Sequence, residues 1–387
     1  MKSATLHKSQ RRPKIIYLVT EDWAFLSHRL PIAIAARDAG FDVIIATHVT
    51  DCGERIKDEG FKLIPIGLRR ANRNPFREIA SIIEIINIYR AEQPDIVHHV
   101  ALKPVLYGSL AAWIVKKAFV TNALIGLGFI FISDKWYVRI LRVIIGVALS
   151  FALNGKHSKL ILQNPDDIKL LLKSNIVKRD KIVLIKGSGV DANKFRPSPE
   201  CPGELMIVLV SRMLWDKGIG EFVSAARILK QEGTNARFIL VGKTDPDNPA
   251  SIPTSTLTSW NDEGTIEWWG YREDIPSIIE KSHVVCLPSY REGLPKVLIE
   301  AAACGRPIVT TDTPGCREIV QDGINGFLVP IRDDKALAAA LHRLIIDPKL
   351  RNEMGKKGRE LVLNEYTVDK VVEETLALYR ANAMNSG

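Results

Sequence analysis

Short apolar runs recur along this chain between longer amphipathic stretches, and that alternation limits the folds open to it more than any other feature. Ile15-Ile16-Tyr17-Leu18-Val19, Val43-Ile44-Ile45-Ala46 and Ile96-Val97 each read as a parallel strand buried on both faces, because such a strand has no polar side to present. Between them, Leu30 to Ala39 and Ile79 to Tyr89 carry apolar residues at helical spacing, and Asp38-Ala39-Gly40 supplies a helix stop. The resulting βαβα order predicts an α/β protein built on doubly wound parallel sheets. After Phe195-Arg196-Pro197-Ser198-Pro199 the pattern restarts, with strands expected at Met206 to Val210, Phe238 to Val241, Val284 to Leu287 and Ile308-Val309. A chain of 387 residues is about two to three times the usual domain length, so two domains are expected. The expected boundaries are 1–190 and 191–365, with 366–387 a C-terminal helix crossing back to the first domain.

Charge separates the two halves. Residues 1–196 carry 31 Lys and Arg against 17 Asp and Glu, a balance of +14, whereas the remainder carries 22 against 27, or −5. A basic half suits an anionic membrane surface, a phosphorylated substrate or nucleic acid. Nucleic acid lacks a supporting motif, since there is no basic helix with heptads, zinc knuckle or aromatic RNP-like strand. Hydrophobic residues at 46% exclude a disordered chain. Five scattered cysteines without CxxC spacing argue against a disulfide framework or zinc site and fit a reducing compartment. The opening MKSATLHKSQRR has no apolar segment behind it and does not read as a secretory signal, so a cytoplasmic location is expected.

Ala118 to Gly155 has 38 residues and only four charges, Asp134, Lys135, Arg139 and Arg142. Its longest uncharged run, Ala118 to Ser133, has 16 residues, short of the ~20 that cross a bilayer. A buried strand followed by a core helix fits the pattern. So does a surface that dips into the membrane interface, where Trp136 and Tyr137 would sit beside Arg139 and Arg142. The clustering of basic residues in this half favours peripheral membrane contact near 118–155.

The segment from Val284 to Val329 carries the most chemistry. A strand ending at Leu287-Pro288-Ser289 leads into a loop holding Glu292-Gly293-Leu294, and Pro295 sits where a helix is expected to begin. Free N–H groups of Gly293 and Leu294 at that helix start make an anion site, and Gly293 lets a phosphate approach the backbone. Glu300 lies eight residues after Glu292, on the helix. On spacing alone, this pair equally fits a solvated face. A second segment, Ser211-Arg212-Met213-Leu214-Trp215-Asp216-Lys217-Gly218, follows the strand ending at Val210. Ligands of doubly wound sheets bind at the carboxyl ends of strands, where both segments fall. Arg212 by its fork and Lys217 as a point charge could converge there on a diphosphate.

Arg212 and Lys217, Pro288-Ser289, Glu292 through Glu300, Pro314-Gly315, Arg317-Glu318 and Asn325-Gly326-Phe327 together resemble the donor-binding half of glycosyltransferase family 4, over roughly residues 183–365. The resemblance implies the GT-B architecture, two Rossmann-like domains facing across a cleft, and sugar transfer from a nucleotide diphosphate donor with retention of configuration. It further implies that Arg212 and Lys217 hold the diphosphate, Glu292 the sugar hydroxyls and Glu300 the ribose. Gly270-Tyr271-Arg272 resembles the loop against the nucleotide base, and an ordinary strand-end turn fits it equally.

The first half resembles the subgroup that builds lipid-linked oligosaccharides. Ser27-His28-Arg29, Asp95 to His98, Lys103-Pro104 with Tyr107-Gly108, and Asn122 with Gly126 and Gly128 carry the likeness. It implies acceptor contacts from His28, Lys103, Asn122, Gly126 and Gly128, and a histidine near the reacting sugar. Many members read Asp-x-x-His-x-His, whereas here His98-His99 is followed by Val100. His98, directly after the strand residues, is the favoured choice. Thr20 to Phe25 replaces the usual glycine-rich loop after the first strand, which points to a bulkier wall on the acceptor side. Asp245-Pro246-Asp247 has the Asp-x-Asp spacing of metal-dependent transferases, but a polar turn explains it, and neither a metal nor a cofactor is expected. The implied partners are a UDP-sugar donor, a polyprenyl-diphosphate-linked saccharide and the inner-leaflet membrane surface. The competing readings are a nucleotide-sugar 2-epimerase of the same architecture and a non-catalytic nucleotide-sugar-binding protein.

Overall fold

The computed structural model describes residues 11–70, 74–116, 118–125 and 136–383, and for 136–140 and 383 the backbone alone. The first sheet contains β1 (Lys14–Glu21), β2 (Asp42–His48), β3 (Lys62–Pro65), β4 (Ile96–Val100), β5 (Phe119–Ala123), β6 (Ser158–Leu162) and β7 (Ile182–Leu184). Their order is β3-β2-β1-β4-β5-β6-β7. The second contains β8 (Leu205–Val210), β9 (Ala236–Val241), β10 (Glu267–Trp268), β11 (Val284–Leu287), β12 (Ile308–Thr311) and β13 (Gly326–Val329), in the order β10-β9-β8-β11-β12-β13. Every pairing is parallel.

These orders follow from the sequence pattern. Parallel neighbours need a crossover, and the amphipathic stretches supply helices that cover both faces, so Ile15 to Val19 and Ile207 to Leu209 are almost wholly enclosed. Helix Leu30–Asp38 ends where expected, with Gly40 at φ +94° turning the chain into β2. In each sheet the strand order reverses once, between β1 and β4 and between β8 and β11. Such a switch point opens a crevice at the carboxyl ends of the strands.

The last helix, Val368–Ala383, packs on helix Leu30–Asp38, and its Val371, Leu376 and Tyr379 complete one face of the first sheet's core. Two chain crossings run side by side on the way there: the Val190 N–H donates to the Tyr366 carbonyl at 2.9 Å and the Val368 N–H to that of Val190 at 3.0 Å.

Helix Trp136–Leu153 lies within the low-charge segment. Its Leu149 and Leu153 are buried against Leu160 and Leu171, whereas Val143, Ile144, Val147 and Phe151 are exposed. The neighbouring helix Leu102–Val115 adds exposed Trp113, whose ring meets that of Phe151 edge-on at 5.6 Å. Among the described residues no helix is long and apolar enough to cross a membrane. Gly126 and Gly128 lie outside the described residues.

Candidate active site

The loops after β8 and β11 meet at the switch point of the second sheet. Arg212 is the second residue after β8, and Lys217 ends a single 3₁₀ turn, Trp215–Lys217. Gly218, at φ +71°, then passes so close to the other loop that a Cβ there would lie 2.1 Å from the Pro288 carbonyl oxygen. The Tyr290 N–H adds a 2.9 Å bond to the Asp216 carbonyl. This close approach brings Lys217 Nζ to 2.5 Å from Glu292 Oε1, which also accepts from Ser289 Oγ at 2.7 Å. Both side chains of the ion pair are mostly shielded from solvent, so water screens the attraction only partly.

The Glu292-Gly293 loop is held from three sides. Asn164, from the first domain, caps helix Pro165–Lys173 and donates through Nδ2 to the Gly293 carbonyl at 2.7 Å. Arg291 pairs with the buried carboxylate of Asp167 on the same helix. Gly315, at φ +80°, lies where a Cβ would come within 2.4 Å of the Gly293 carbonyl oxygen. Helix Lys296–Ala303 begins one residue after Pro295, which flanks it instead of occupying its first turn. Among the described residues no acceptor takes the N–H groups of Gly293 or Leu294. Glu300 lies on this helix, nearly enclosed, with Lys296 Nζ 3.5 Å away. Burial raises its carboxyl above the ordinary value against the pull of Lys296.

Arg212 is not free. Its Nη1 donates to Asp245 Oδ2 at 2.5 Å, and Arg70 of the first domain donates to both oxygens of the same carboxylate at 2.8 and 2.7 Å. Burial pushes the Asp245 carboxyl up, but the hydrogen bonds from Arg70 and Arg212 outweigh it and hold it below its usual range. The Asp-x-Asp spacing concealed this role: Asp245 is a counterion that reaches between domains as well as a residue of a polar turn. Nothing in the sequence pairs Arg70 with it across a separation of 175 positions.

Other expected residues lie as follows. Gly270, at φ +65°, lies two residues past β10, and its carbonyl accepts from the Gly242 N–H at 2.7 Å. Tyr271 is exposed beneath Lys243 Nζ, 5.5 Å from its ring centre. Arg272 turns away from the Arg212 side and pairs with Asp274, beside Met206 near the opposite end of β8. A carboxylate two residues on captures the guanidinium, so Arg272 does not join Tyr271.

In the first domain, His28 sits at the cleft with Nδ1 3.4 Å from Ser188 Oγ. Burial, with Lys296 and Arg29 nearby, pushes its imidazole down to about 3. Lys103 Nζ donates to Glu78 at 2.9 Å and to the Arg69 carbonyl at 3.0 Å, and Tyr107 donates to the other Glu78 oxygen at 2.6 Å. His98 and Asn122 are fully enclosed, so neither side chain opens directly onto the cleft surface. Alternation along β4 sends the two histidines to opposite faces. His98 stacks on Tyr17 at 5.1 Å and bonds through Nδ1 to the Tyr379 hydroxyl, which itself donates to Tyr17 at 2.9 Å. Tyr379 has spent its proton, so His98 Nδ1 is the donor and Nε2 a bare acceptor. His99 bonds to Asn122 Oδ1 at 2.8 Å and Tyr89 at 2.9 Å, and burial pushes it down to about 4. The missing glycine-rich loop also has a physical counterpart. Buried Asp22 accepts from the Thr50 N–H and hydroxyl at 2.6 Å each and from the Cys52 N–H at 3.1 Å, which ties the turn after β1 to that after β2.

Two doubly wound parallel domains with charged loops at the strand ends give the chain the GT-B architecture. The Anabaena HepE protein, solved in complex with UDP, superposes with a TM-score of 0.76 at 16% identity, over 95% of this chain and 100% of that one. A family model described as glycosyl transferases group 1 matches residues 191–361, and one described as glycosyl transferase 4-like matches residues 14–164. The chain therefore belongs to the group 1, family 4-like glycosyltransferases. It is 27% identical to the Campylobacter jejuni N,N'-diacetylbacillosaminyl-diphospho-undecaprenol alpha-1,3-N-acetylgalactosaminyltransferase, over 92% of this chain and 97% of that protein. It is also 27% identical to the Escherichia coli UDP-Gal:alpha-D-GlcNAc-diphosphoundecaprenol alpha-1,3-galactosyltransferase, over 80% and 81%.

Proposed function

We propose that this enzyme moves a hexose or N-acetylhexosamine from a UDP-sugar to a saccharide carried on a polyprenyl diphosphate, with retention, at the cytoplasmic face of the cell membrane. The observation that carries the reading is the meeting of the loops after β8 and β11 at the switch point, where Lys217 reaches Glu292 beside the Gly293-Leu294 backbone and Arg212 stands on the same loop as Lys217. Both relatives named above act, by their names, on diphospho-undecaprenol-linked sugars, which supports the acceptor class.

In this reading the diphosphate displaces Asp245 from Arg212 and Glu292 from Lys217. The freed Glu292 then accepts hydrogen bonds from the sugar hydroxyls, Glu300 takes the ribose, and exposed Tyr271 lies along the base. Breaking the bond from the anomeric carbon to the phosphate oxygen builds negative charge on that oxygen, which Arg212, Lys217 and the Gly293 and Leu294 N–H groups stabilise. The acceptor hydroxyl forms the new bond on the same face and passes its proton to the departing phosphate, so no protein nucleophile is needed. Domain closure supplies positioning. His28 and Lys103 line the acceptor side, with His98 and Asn122 acting from behind the cleft wall. The exposed apolar face of helix Trp136–Leu153 supports seating on a membrane beside the basic half of the chain.

The test incubates the enzyme with a panel of nucleotide sugars and vesicles carrying a polyprenyl-diphosphate-linked saccharide. Expected is lipid-linked product that depends on UDP-sugar, with Lys217→Ala losing roughly a hundredfold to a thousandfold in turnover while its melting temperature is kept. Near-normal turnover by that variant would sink the diphosphate assignment. Epimerised donor formed without acceptor would replace the whole reading.

A further inference from the structure

Arg29 stands at the break between helices Asp22–His28 and Leu30–Asp38, where φ −126° and ψ −16° interrupt the helical path. Only 3% of it is exposed, and its Nε and Nη2 have no hydrogen-bond partner among the described residues. These two atoms form the edge of the guanidinium that binds two oxygens at once. The ionisable groups that interact with it are His28, His98, Tyr17 and Tyr379. Among the described residues none of these is a carboxylate. Burial and Arg29 itself keep His98 neutral, and burial keeps both phenols protonated. His98 Nε2, a second enclosed atom without a partner, accompanies this cation. Buried charges are ordinarily paired, because an unpaired one is strongly unfavourable.

The surroundings indicate where the counterion comes from. Lys296 Nζ crosses the cleft to the Ser27 carbonyl at 2.9 Å, and His28 reaches Ser188. Beside Ser188, a Cβ on Gly187 would lie 2.8 Å from the Leu294 side chain. Ser27 and His28, the two residues before Arg29, therefore lie against Leu294 and Lys296, next to the Gly293 and Leu294 N–H groups that face the diphosphate in the proposed reaction. The turn from Thr20 to Phe25, which replaces the glycine-rich loop of the family resemblance, lies just before Arg29 in the chain.

We propose that Arg29 binds the donor diphosphate from the first domain, supplying a bidentate cation in place of glycine-rich backbone N–H groups. The proposal rests on the function proposed above. Binding pairs a charge the unliganded fold leaves unpaired, and it draws the first domain onto the leaving group that Arg212 and Lys217 hold from the second.

The test compares Arg29→Met and Arg29→Lys with the unaltered enzyme by calorimetric titration of UDP, uridine and an isoprenyl diphosphate, alongside thermal melting. Expected for Arg29→Met is an affinity for UDP lower by at least about tenfold, with uridine and isoprenyl diphosphate unchanged and a melting temperature equal or higher. Arg29→Lys should recover part of the UDP affinity. Unchanged UDP affinity in Arg29→Met, or a loss confined to isoprenyl diphosphate, overturns the proposal. A fall in melting temperature that Arg29→Lys repairs without recovering UDP affinity overturns it as well. Lys217→Ala separates the two levels. If that variant loses UDP affinity while Arg29→Met keeps it, the function stands and only the role of Arg29 fails; if Lys217→Ala also keeps it, the function reading itself fails.

Discussion

Arg70 and Asp245 join the two domains through an ion pair in which Arg70 Nη2 lies 2.8 and 2.7 Å from the two carboxylate oxygens, and the carboxylate that Arg70 holds is the one that occupies Arg212. A diphosphate arriving at Arg212 competes with Asp245. Asp245→Asn keeps the shape and removes the charge. The pair is partly exposed on the arginine side, so the competition is worth about 1 kcal/mol. UDP should bind roughly fivefold more tightly to Asp245→Asn, with the gain shrinking as salt rises. Weaker binding by calorimetry would show that Asp245 orients Arg212 instead of competing for it.

Glu300 permits a cleaner separation of binding from chemistry. It lies a turn into helix Lys296–Ala303, away from the bond that breaks, so its contact with a ribose would be the same in ground and transition states. Removing such an interaction raises KM and leaves kcat. Glu300→Ala should raise the donor KM about tenfold to a hundredfold, the range for a lost hydrogen bond to a charged group. Steady-state kinetics with varied donor decide it, and an unchanged KM removes the ribose role.

Local pattern carried the fold, and both glutamates could be read as a pair because Glu292 and Glu300 lie on one loop and the helix that follows it. Asp245 and Arg70 were not legible in this way, since their meeting depends on how two domains dock. Strand alternation explains His98: a position on β4 identified it as a candidate, but only packing shows that Tyr17 and Tyr379 enclose it. Tyr379 lies 281 residues further along, on a helix that returns to the first domain, and no short-range signal links the two. Arg272 presents the opposite case. Its partner Asp274 lies two residues away, and the resemblance to a base-binding loop masked that local capture.

Three histidines of the first domain are held neutral, and stability should report it. His28 is lowered from 6.5 to about 3 and His99 to about 4, with His98 also well below its ordinary value, each chiefly through burial. The unfolded chain takes up protons below about pH 6.5 that the folded chain refuses, so stability is full above that pH and falls as pH drops towards 4. Each such histidine contributes up to about 1.4 kcal/mol per pH unit. Urea unfolding at pH 7.5, 6 and 5 should show this loss, and His28→Gln should reduce the slope by about one proton. An unchanged slope would mean that His28 is protonated in the folded enzyme.

Val143, Ile144, Val147 and Phe151 recur at the spacing of one helix face, and Trp113 extends that face from the neighbouring helix. Its opposite side, through Leu149 and Leu153, is already buried against the first sheet's core. The outer face can therefore be altered without opening the core. Val147→Asp combined with Phe151→Asp should leave the melting temperature within a few degrees, because exposed positions contribute little to folding. Binding to vesicles containing anionic lipid should fall at least about tenfold, since two apolar groups leave the interface and two negative charges are added. Turnover of vesicle-borne acceptor should fall with it, while calorimetric UDP affinity stays unchanged. If vesicle binding survives in this double variant, the membrane contact lies elsewhere on the basic half of the chain.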